Sequence, residues 1–289
     1  MKEAARKILL CLLLVLTVLP VSARADMGPK PSVQVDFTGM DHDTVYYVTL
    51  LSADYSTGPA TAYNGNPERA RYQGSDENYP IWEKFVNYSD SDGYYFLQQF
   101  KKCEGNDHYA WTYYPPSPFK VLIYFPESDT FAVSEIAERY AFDSNFTASL
   151  DEQNHAALTI CKSYPFGVEL AALIVRIILT ILVELVMAWL FDLRTKKQLQ
   201  IILCANLLTQ IVLNVMLNIV AYRSGAFMFI LNYILGECIV FVIEAAIYAR
   251  LLPKYSDGKP IRPVLYALTA NVLSFSAGMW LARLLPGIF

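Results

Sequence analysis

Polar side chains interrupt an otherwise apolar stretch in the second half of the chain. Residues 202–221 read ILCANLLTQIVLNVMLNIVA, and the amides Asn206, Gln210, Asn214 and Asn218 recur at every fourth position. A step of four residues advances only about 40° around a helix, so the amides form one stripe about 18 Å long. Amides in hydrocarbon need hydrogen-bond partners. We therefore expect the stripe to face other helices or water.

Ionisable residues accompany the amides in the neighbouring apolar segments. Arg176 and Glu184 lie in one segment, Glu237 and Glu244 lie seven residues apart in another, and Asn271 lies in the last. Ionised carboxylates at such depth are costly, so we expect them to be paired, protonated or in contact with water. Arg176 can neutralise one carboxylate, which leaves at least two without an obvious cationic partner.

Counting the rise of a helix sorts these residues by depth. Glu184, Asn206, Glu244 and Asn271 fall about 8–14 Å from the cytoplasmic ends of their segments. The other members are expected nearer the midplane. The sequence predicts either a cavity that binds an ion, passes protons or holds a small solute, or structural packing by amides. We call the set the polar cluster: Arg176, Glu184, Asn206, Gln210, Asn214, Glu237, Glu244 and Asn271.

Four apolar segments must position the polar cluster, near 167–191, 199–221, 226–249 and 263–285. Each is long enough to cross about 30 Å of hydrocarbon as a helix. The loops 192–198 and 250–262 are rich in Lys and Arg, whereas the loop between them carries one positive charge. The positive-inside rule therefore predicts that both basic loops are cytoplasmic and that the C-terminus lies outside.

The N-terminus predicts export of the region that follows it. Residues 1–25 have a basic start, a short apolar core and an Ala23-Arg24-Ala25 cleavage site, as a secretory signal peptide has. This places residues 26–165 outside the cell, in agreement with the loop charges. The predicted localisation is the cell membrane, with a multi-pass domain at 166–289.

The exported region has the pattern of an all-β domain. Runs rich in Val, Tyr, Phe and Ile at 32–37, 45–51, 93–100 and 119–126 are bounded by turn residues. We expect an immunoglobulin- or transthyretin-like β-sandwich over 26–165, with a short helix at 134–142 and a surface excursion at 54–92. This region holds 20 Asp and Glu against 9 Lys and Arg, a net charge of −11. Such acidity argues against a nucleic-acid partner.

Two cysteines lie in the exported region, Cys103 and Cys161. Outside the cytoplasm they can form a disulfide. The alternative is two unpaired thiols, because one widely spaced pair has no framework signature.

The sequence offers little for catalysis or metal binding. Histidine is absent from the four apolar segments, and no serine lies in a G-x-S-x-G motif. Asp90-Ser91-Asp92-Gly93 lacks the remaining ligands of a calcium loop, so it predicts a turn. We therefore expect no catalytic residues, no metal ligands and no cofactor.

Four stretches carry a resemblance to a known architecture: DMGPKPSV (26–33), ILVELVMAWLFDLRTKKQLQ (181–200), NLLTQIVLN (206–214) and ECIVFVIEAAIY (237–248). In these stretches the chain resembles uncharacterised bacterial membrane proteins that join a signal peptide and a short exported β domain to four transmembrane helices. The resemblance implies that architecture. It carries no known activity and adds no catalytic residues.

These observations predict an extracytoplasmic binding or sensing domain coupled to a helical membrane domain. The alternative is a small proton- or cation-coupled transporter that uses the polar cluster. A third reading, an intramembrane enzyme, would need two of the glutamates within reach of one substrate atom. The expected partners are membrane lipid, an extracellular or cell-wall ligand, and further copies or other subunits in an oligomer.

Overall fold

The computed structural model describes residues 28–150, 157–255 and 261–284. The predicted signal peptide, 1–25, lies outside the described residues. Within them the chain divides into a β-rich half, which begins at Ser32 and ends at Lys162, and a helical half that begins at Phe166.

The β-rich half has eleven strands and one α-helix in its described part. The helix, α1, is Tyr79–Asn87. The strands are β1 Ser32–Thr38, β2 Val45–Ser52, β3 Ser56–Thr57, β4 Ala60–Thr61, β5 Tyr95–Phe96, β6 Lys101–Glu104, β7 His108–Trp111, β8 Phe119–Phe125, β9 Thr130–Ser134, β10 Asp143–Leu150 and β11 Ala157–Lys162.

Nine of these strands form one continuous mixed sheet. Its order is β5-β2-β8-β9-β11-β10-β1-β7, and β6 also pairs with β2. The pairs β1–β10 and β9–β11 are parallel. Because β6 pairs with β2 while the adjoining β7 pairs with β1, the two ends of the sheet approach each other and the sheet curls into a half-barrel.

Alternating side chains fill the inside of the half-barrel. Val33, Val35 and Phe37 of β1 meet Val121 and Ile123 of β8 in one buried core. This follows from the period of two in a strand, which sends every second side chain to the same face.

The outer face of β8 is also buried. Leu122 and Tyr124 pack under α1, whose Trp82 and Phe85 cover them. Burial on both faces explains why the run FKVLIYF is almost continuously apolar instead of alternating.

The expectation of a β-rich N-terminal half is confirmed, but the two-sheet sandwich is wrong. Alternation tells which side chains point inward, whereas it does not tell which strands are neighbours.

The predicted helix at 134–142 is wrong as well. Ser134 ends β9, where its Oγ accepts from the amide of Val121 at 2.9 Å, and Ala137 bridges to Phe119. The predicted surface excursion at 54–92 contains α1.

The helical half consists of α2 Phe166–Leu190, α3 Lys196–Leu251 and α4 Ile261–Leu284. Each packs against the other two. Gly225 interrupts α3 with φ 77° and ψ 179°. Essentially only glycine adopts this conformation. The resulting arms, 196–224 and 226–251, run antiparallel, so that Thr209 meets Glu244.

Among the described residues, two helices are long and apolar enough to cross a membrane: Phe166–Leu190 and Lys196–Lys254, which extends α3 by a 3-10 turn. The sequence predicts four spans, and this criterion of length and composition identifies two helices. The longer one counts as a single helix because its two arms join at the Gly225 break without a loop.

Candidate functional site

The four helical segments each bring one polar side chain to a common inner layer. Glu184 comes from α2, Asn206 and Glu244 from the two arms of α3, and Asn271 from α4. None is more than 6% exposed. The heptad and four-residue spacings place these residues on the inward faces of their helices, since neighbouring turns share a face.

Two buried tyrosines complete the surroundings of Glu184. The hydroxyl of Tyr266 donates to Glu184 Oε2. Asn206 Nδ2 donates to the hydroxyl of Tyr248 at 2.8 Å, and the two tyrosine rings lie 5.5 Å apart. The layer is therefore closed by aromatic rings on the side of the α2–α3 and α3–α4 connections.

Glu244 forms hydrogen bonds with side chains from two other segments. Thr209 Oγ1 lies 2.7 Å from Glu244 Oε1, and Asn271 Nδ2 donates to Oε2 at 2.8 Å. Both carboxyl oxygens therefore have a partner, and the contacts tie α4 and both arms of α3 together.

A second group lies nearer the β-rich half. Asn214 Nδ2 donates to the carbonyl of Gln210 at 2.8 Å and to Gln210 Oε1 at 3.2 Å. Gln210 also lies within reach of the Glu237 carboxyl. Three of the four residues expected near the midplane are thus neighbours.

Arg176 lies elsewhere, which corrects the expectation that it joins the midplane group and neutralises a carboxylate there. Its Nη2 donates to Asn218 Oδ1 at 3.3 Å, and its guanidinium lies 5.6 Å from the centre of the Phe229 ring. Helical side chains point toward the N-terminus of their helix, so Arg176 is directed toward the β-rich half.

Within the described residues, three buried oxygen atoms of the polar cluster have no hydrogen-bond donor: Glu184 Oε1, Asn206 Oδ1 and Glu237 Oε2. An amide oxygen and an ionised carboxylate can only accept. These three oxygens would therefore each be satisfied by an added donor or cation.

Sequence reasoning left Thr209, Tyr248 and Tyr266 out of the polar cluster. Each contacts a member directly, through Glu244, Asn206 and Glu184 respectively. The sequence carried a signal for Tyr248, because it follows Glu244 by one helical turn.

A cavity of about 210 Å³ lies where the two halves of the protein meet, and sequence analysis did not find it. We call it the junction cavity. Arg176 and Glu169 line it from α2, and the hydroxyl of Tyr164 donates to Glu169 Oε1 at 2.5 Å. The remaining walls come from β10 and both arms of α3, including Asp143, Asn145, Asn218, Tyr222 and Phe229.

The β-rich half contacts the helices beside this cavity. The amide of Phe142 donates to the carbonyl of Tyr222 at 2.8 Å. A β-carbon placed on Gly225 would lie 2.5 Å from the Phe142 ring. Tyr164 and Tyr222 meet edge to face at 5.3 Å between ring centres. The β-rich half therefore contacts α3 at its break.

Of the two alternatives for Cys103 and Cys161, the structure has the unpaired one, since both thiols are free. Cys103 lies on β6 and points into the half-barrel core. Cys161 lies on β11 and is exposed. The two side chains lie on opposite faces of the sheet.

No group of three or more His, Cys, Asp or Glu side chains that could hold a metal ion occurs in the described ranges. In the turn at Asp90, which the sequence analysis compared with a calcium loop, the carboxylates pair with the ammonium group of a lysine. Lys120 Nζ lies 2.9 Å from both Asp90 oxygens and 2.5 Å from Asp92 Oδ2. Burial lowers the pKa of Lys120, but the hydrogen bonds to Asp92 and Asp90 outweigh it and raise the pKa above its usual value.

Comparisons with models of protein families, with curated proteins and with solved structures found no match. The function is therefore argued from the geometry of the polar cluster and of the junction cavity.

Proposed function

We propose that the chain is a multi-pass membrane protein whose exported β domain senses a small polar ligand and transmits its binding to the membrane helices. The observation that carries the proposal is the junction cavity, because its walls come from the β-rich half, from α2 and from both arms of α3. A ligand there touches both halves at once.

The charges at the two ends of the helices support the proposed orientation. The β-rich half contacts the Tyr222–Gly225 end. The opposite end carries basic side chains around the α2–α3 and α3–α4 connections, where Asp192 pairs with Arg194 and Arg262. Basic connections favour the cytoplasmic side. In this topology α2, the two arms of α3 and α4 are the four spans.

The lining favours a ligand that carries charge. Arg176 presents a guanidinium, whereas Glu169 and Asp143 present carboxylates, and Tyr222 and Phe229 add aromatic surface. A volume of about 210 Å³ is below the roughly 300–1,000 Å³ of sites for drug-sized molecules. Free amino acids and similarly small zwitterions fit this size and charge.

A binding screen tests this proposal. Purified full-length protein in detergent is melted with each of the proteinogenic amino acids, with small dicarboxylates and with small amines. We expect at least one to raise Tm in wild type, and Arg176→Gln to abolish the shift, because the guanidinium is a cavity wall. Arg223→Gln is the matched control, since Arg223 is exposed on the first arm of α3 and lies outside the lining.

Coupling is tested with the compound that shifts Tm. Hydrogen exchange should slow in both 140–145 and 222–226, the segments that meet beside the cavity. Protection of only one segment, or equal Tm shifts in wild type and Arg176→Gln, contradicts the proposal.

A second candidate is proton- or cation-coupled transport. It is favoured by Glu184, Glu237 and Glu244, three carboxyls that form no ion pair with any described helical residue. In reconstituted liposomes, Glu184→Gln or Glu244→Gln should then abolish a pH- or ion-dependent flux that Glu83→Gln, on the exposed face of α1, preserves. Flux that is unchanged in the two buried variants eliminates this candidate.

A further inference from the structure

The unpartnered atoms of the inner layer suggest what is bound there. Glu184 Oε1 and Asn206 Oδ1 are both buried and both lack a donor. The two side chains lie within hydrogen-bonding range of each other. Each of these oxygens can only accept while the carboxyl is ionised, so a proton or a cation would supply the missing partner.

We propose that Glu184 is a proton-binding site, with a proton on Oε1 that is donated to Asn206 Oδ1. One proton gives both oxygens a partner. It also removes a charge that a fully buried carboxylate carries at high cost in hydrocarbon. Asn206 is already oriented to accept, because its Nδ2 is used by Tyr248 and by the carbonyl of Ile202.

The facing carboxyl of Glu244 explains why the proton is on Glu184. Each oxygen of Glu244 has a hydrogen-bond partner, Thr209 Oγ1 or Asn271 Nδ2. The Asn271 amide nitrogen can only donate, which favours an ionised carboxylate. Among the described residues, Tyr266 donates to Glu184 Oε2, whereas Oε1 has no donor. When two carboxyls share a site, one of them takes up a proton, and here it is the one with fewer donors.

The groups around Glu184 are compatible with a neutral acid. From α3 the titratable side chains are Glu237, Glu244 and Tyr248, and from α4 it is Tyr266. On α2 itself, Arg176 lies two turns away and contacts Asn218 and Phe229. The carboxyls raise the cost of a negative charge on Glu184, and the tyrosines are neutral.

Infrared spectroscopy of the full-length protein in lipid bilayers tests the proposal. A protonated carboxylic acid has a carbonyl stretching band separate from that of a carboxylate. At neutral pH we expect this band in wild type and in Glu244→Gln, and we expect Glu184→Gln to lose it. Glu83→Gln, an exposed glutamate on α1, is the control for the substitution itself.

A second variant keeps the test informative if Glu184→Gln does not fold. Asn206→Leu removes the acceptor of the proposed hydrogen bond, so the carbonyl band should remain and shift in frequency. A band that survives in Glu184→Gln and disappears in Glu244→Gln overturns the assignment. A wild-type spectrum without the band, together with a Tm that rises with sodium, overturns the proton in favour of a bound cation.

Discussion

In the β-rich half, alternate strand residues fill an apolar interior, whereas in the helical half amides and carboxyls occupy the interior and large apolar side chains face outward. Val35, Val121 and Ile123 are fully buried, while Leu208, Val242 and Ile178 are more than half exposed. The apolar exterior of the helical half is the kind that lipid favours, and two of its helices are long and apolar enough to cross a membrane.

The two halves also treat buried charge differently. Lys120 and Asp90 form a buried ion pair in the β-rich half, with side chains 4% and 1% exposed. In the helical half, Glu184 and Glu244 are as deeply buried and are held by hydroxyl and amide groups. A paired charge serves the fold, whereas carboxyls without a paired cation remain able to take up a proton or bind a cation.

The largest expected effect tests the apolar core under α1. Phe85 is fully buried, and its ring centre lies 5.0 Å from that of Phe96 and 5.4 Å from that of Phe100. Phe85→Ala should lower the free energy of unfolding by about 3–5 kcal/mol, because it leaves a cavity between helix and sheet. Urea unfolding followed by tryptophan fluorescence measures this. Glu83→Ala on the exposed face should change little, and equal effects would contradict the packing described.

The next effect tests the buried pair of the β-rich half. Lys120→Ala should cost about 3 kcal/mol, since it leaves the Asp90 carboxylate buried without a cation. Lys84→Ala is the control, because its pair with Asp129 is exposed to water and should contribute little. The same urea titration compares them. If Lys84→Ala were the more damaging of the two, burial would not be the deciding factor.

A smaller effect separates packing from function within the polar cluster. Asn271 donates to Glu244 on another segment, whereas Asn214 donates only within its own helix. Asn271→Leu should cost about 1–2 kcal/mol, and Asn214→Leu should cost less than this. Thermal unfolding in detergent measures both. A larger loss for Asn214→Leu would make the amide stripe chiefly a structural contact.

The smallest effect concerns reactivity. Burial raises the pKa of the Cys103 thiol to about 12, so almost no thiolate forms at neutral pH. In protein reconstituted in liposomes, a membrane-impermeant maleimide should label Cys161 and leave Cys103 unlabelled. Cys204 and Cys238, exposed on the helices, should be shielded by lipid. Mass spectrometry identifies the labelled cysteines. If Cys161 reacted only after reduction, the disulfide between Cys103 and Cys161 would be the correct alternative.

Local patterns in the sequence predicted the main strands, because alternation depends on neighbouring residues. The order of the strands in the sheet depends on contacts between distant segments, so the half-barrel was not predictable in this way. The helix α1 was missed although Pro80 lies in its first turn, a position that proline favours. Its aromatic residues had been interpreted as surface.

Regular helix geometry explains what the sequence predicted about the polar cluster. A fixed rise per residue sorted Glu184, Asn206, Glu244 and Asn271 into the layer where the structure brings them together. The rise per residue does not tell whether a long side chain points up or down the helix axis. For this reason Arg176 was expected near the midplane, whereas its guanidinium lies closer to the β-rich half. The junction cavity was missed because its walls come from segments far apart in sequence.

The break at Gly225 has a consequence for the assembly of the protein during synthesis. Without it, α3 would be a rod of 56 residues, about 84 Å long. With it, the two arms form a helical hairpin that can enter the bilayer as one unit. Thr209 then meets Glu244 as soon as the second arm is made, so neither side chain faces lipid alone. One glycine thus lets a helix containing a carboxyl be inserted together with the partner that shields it.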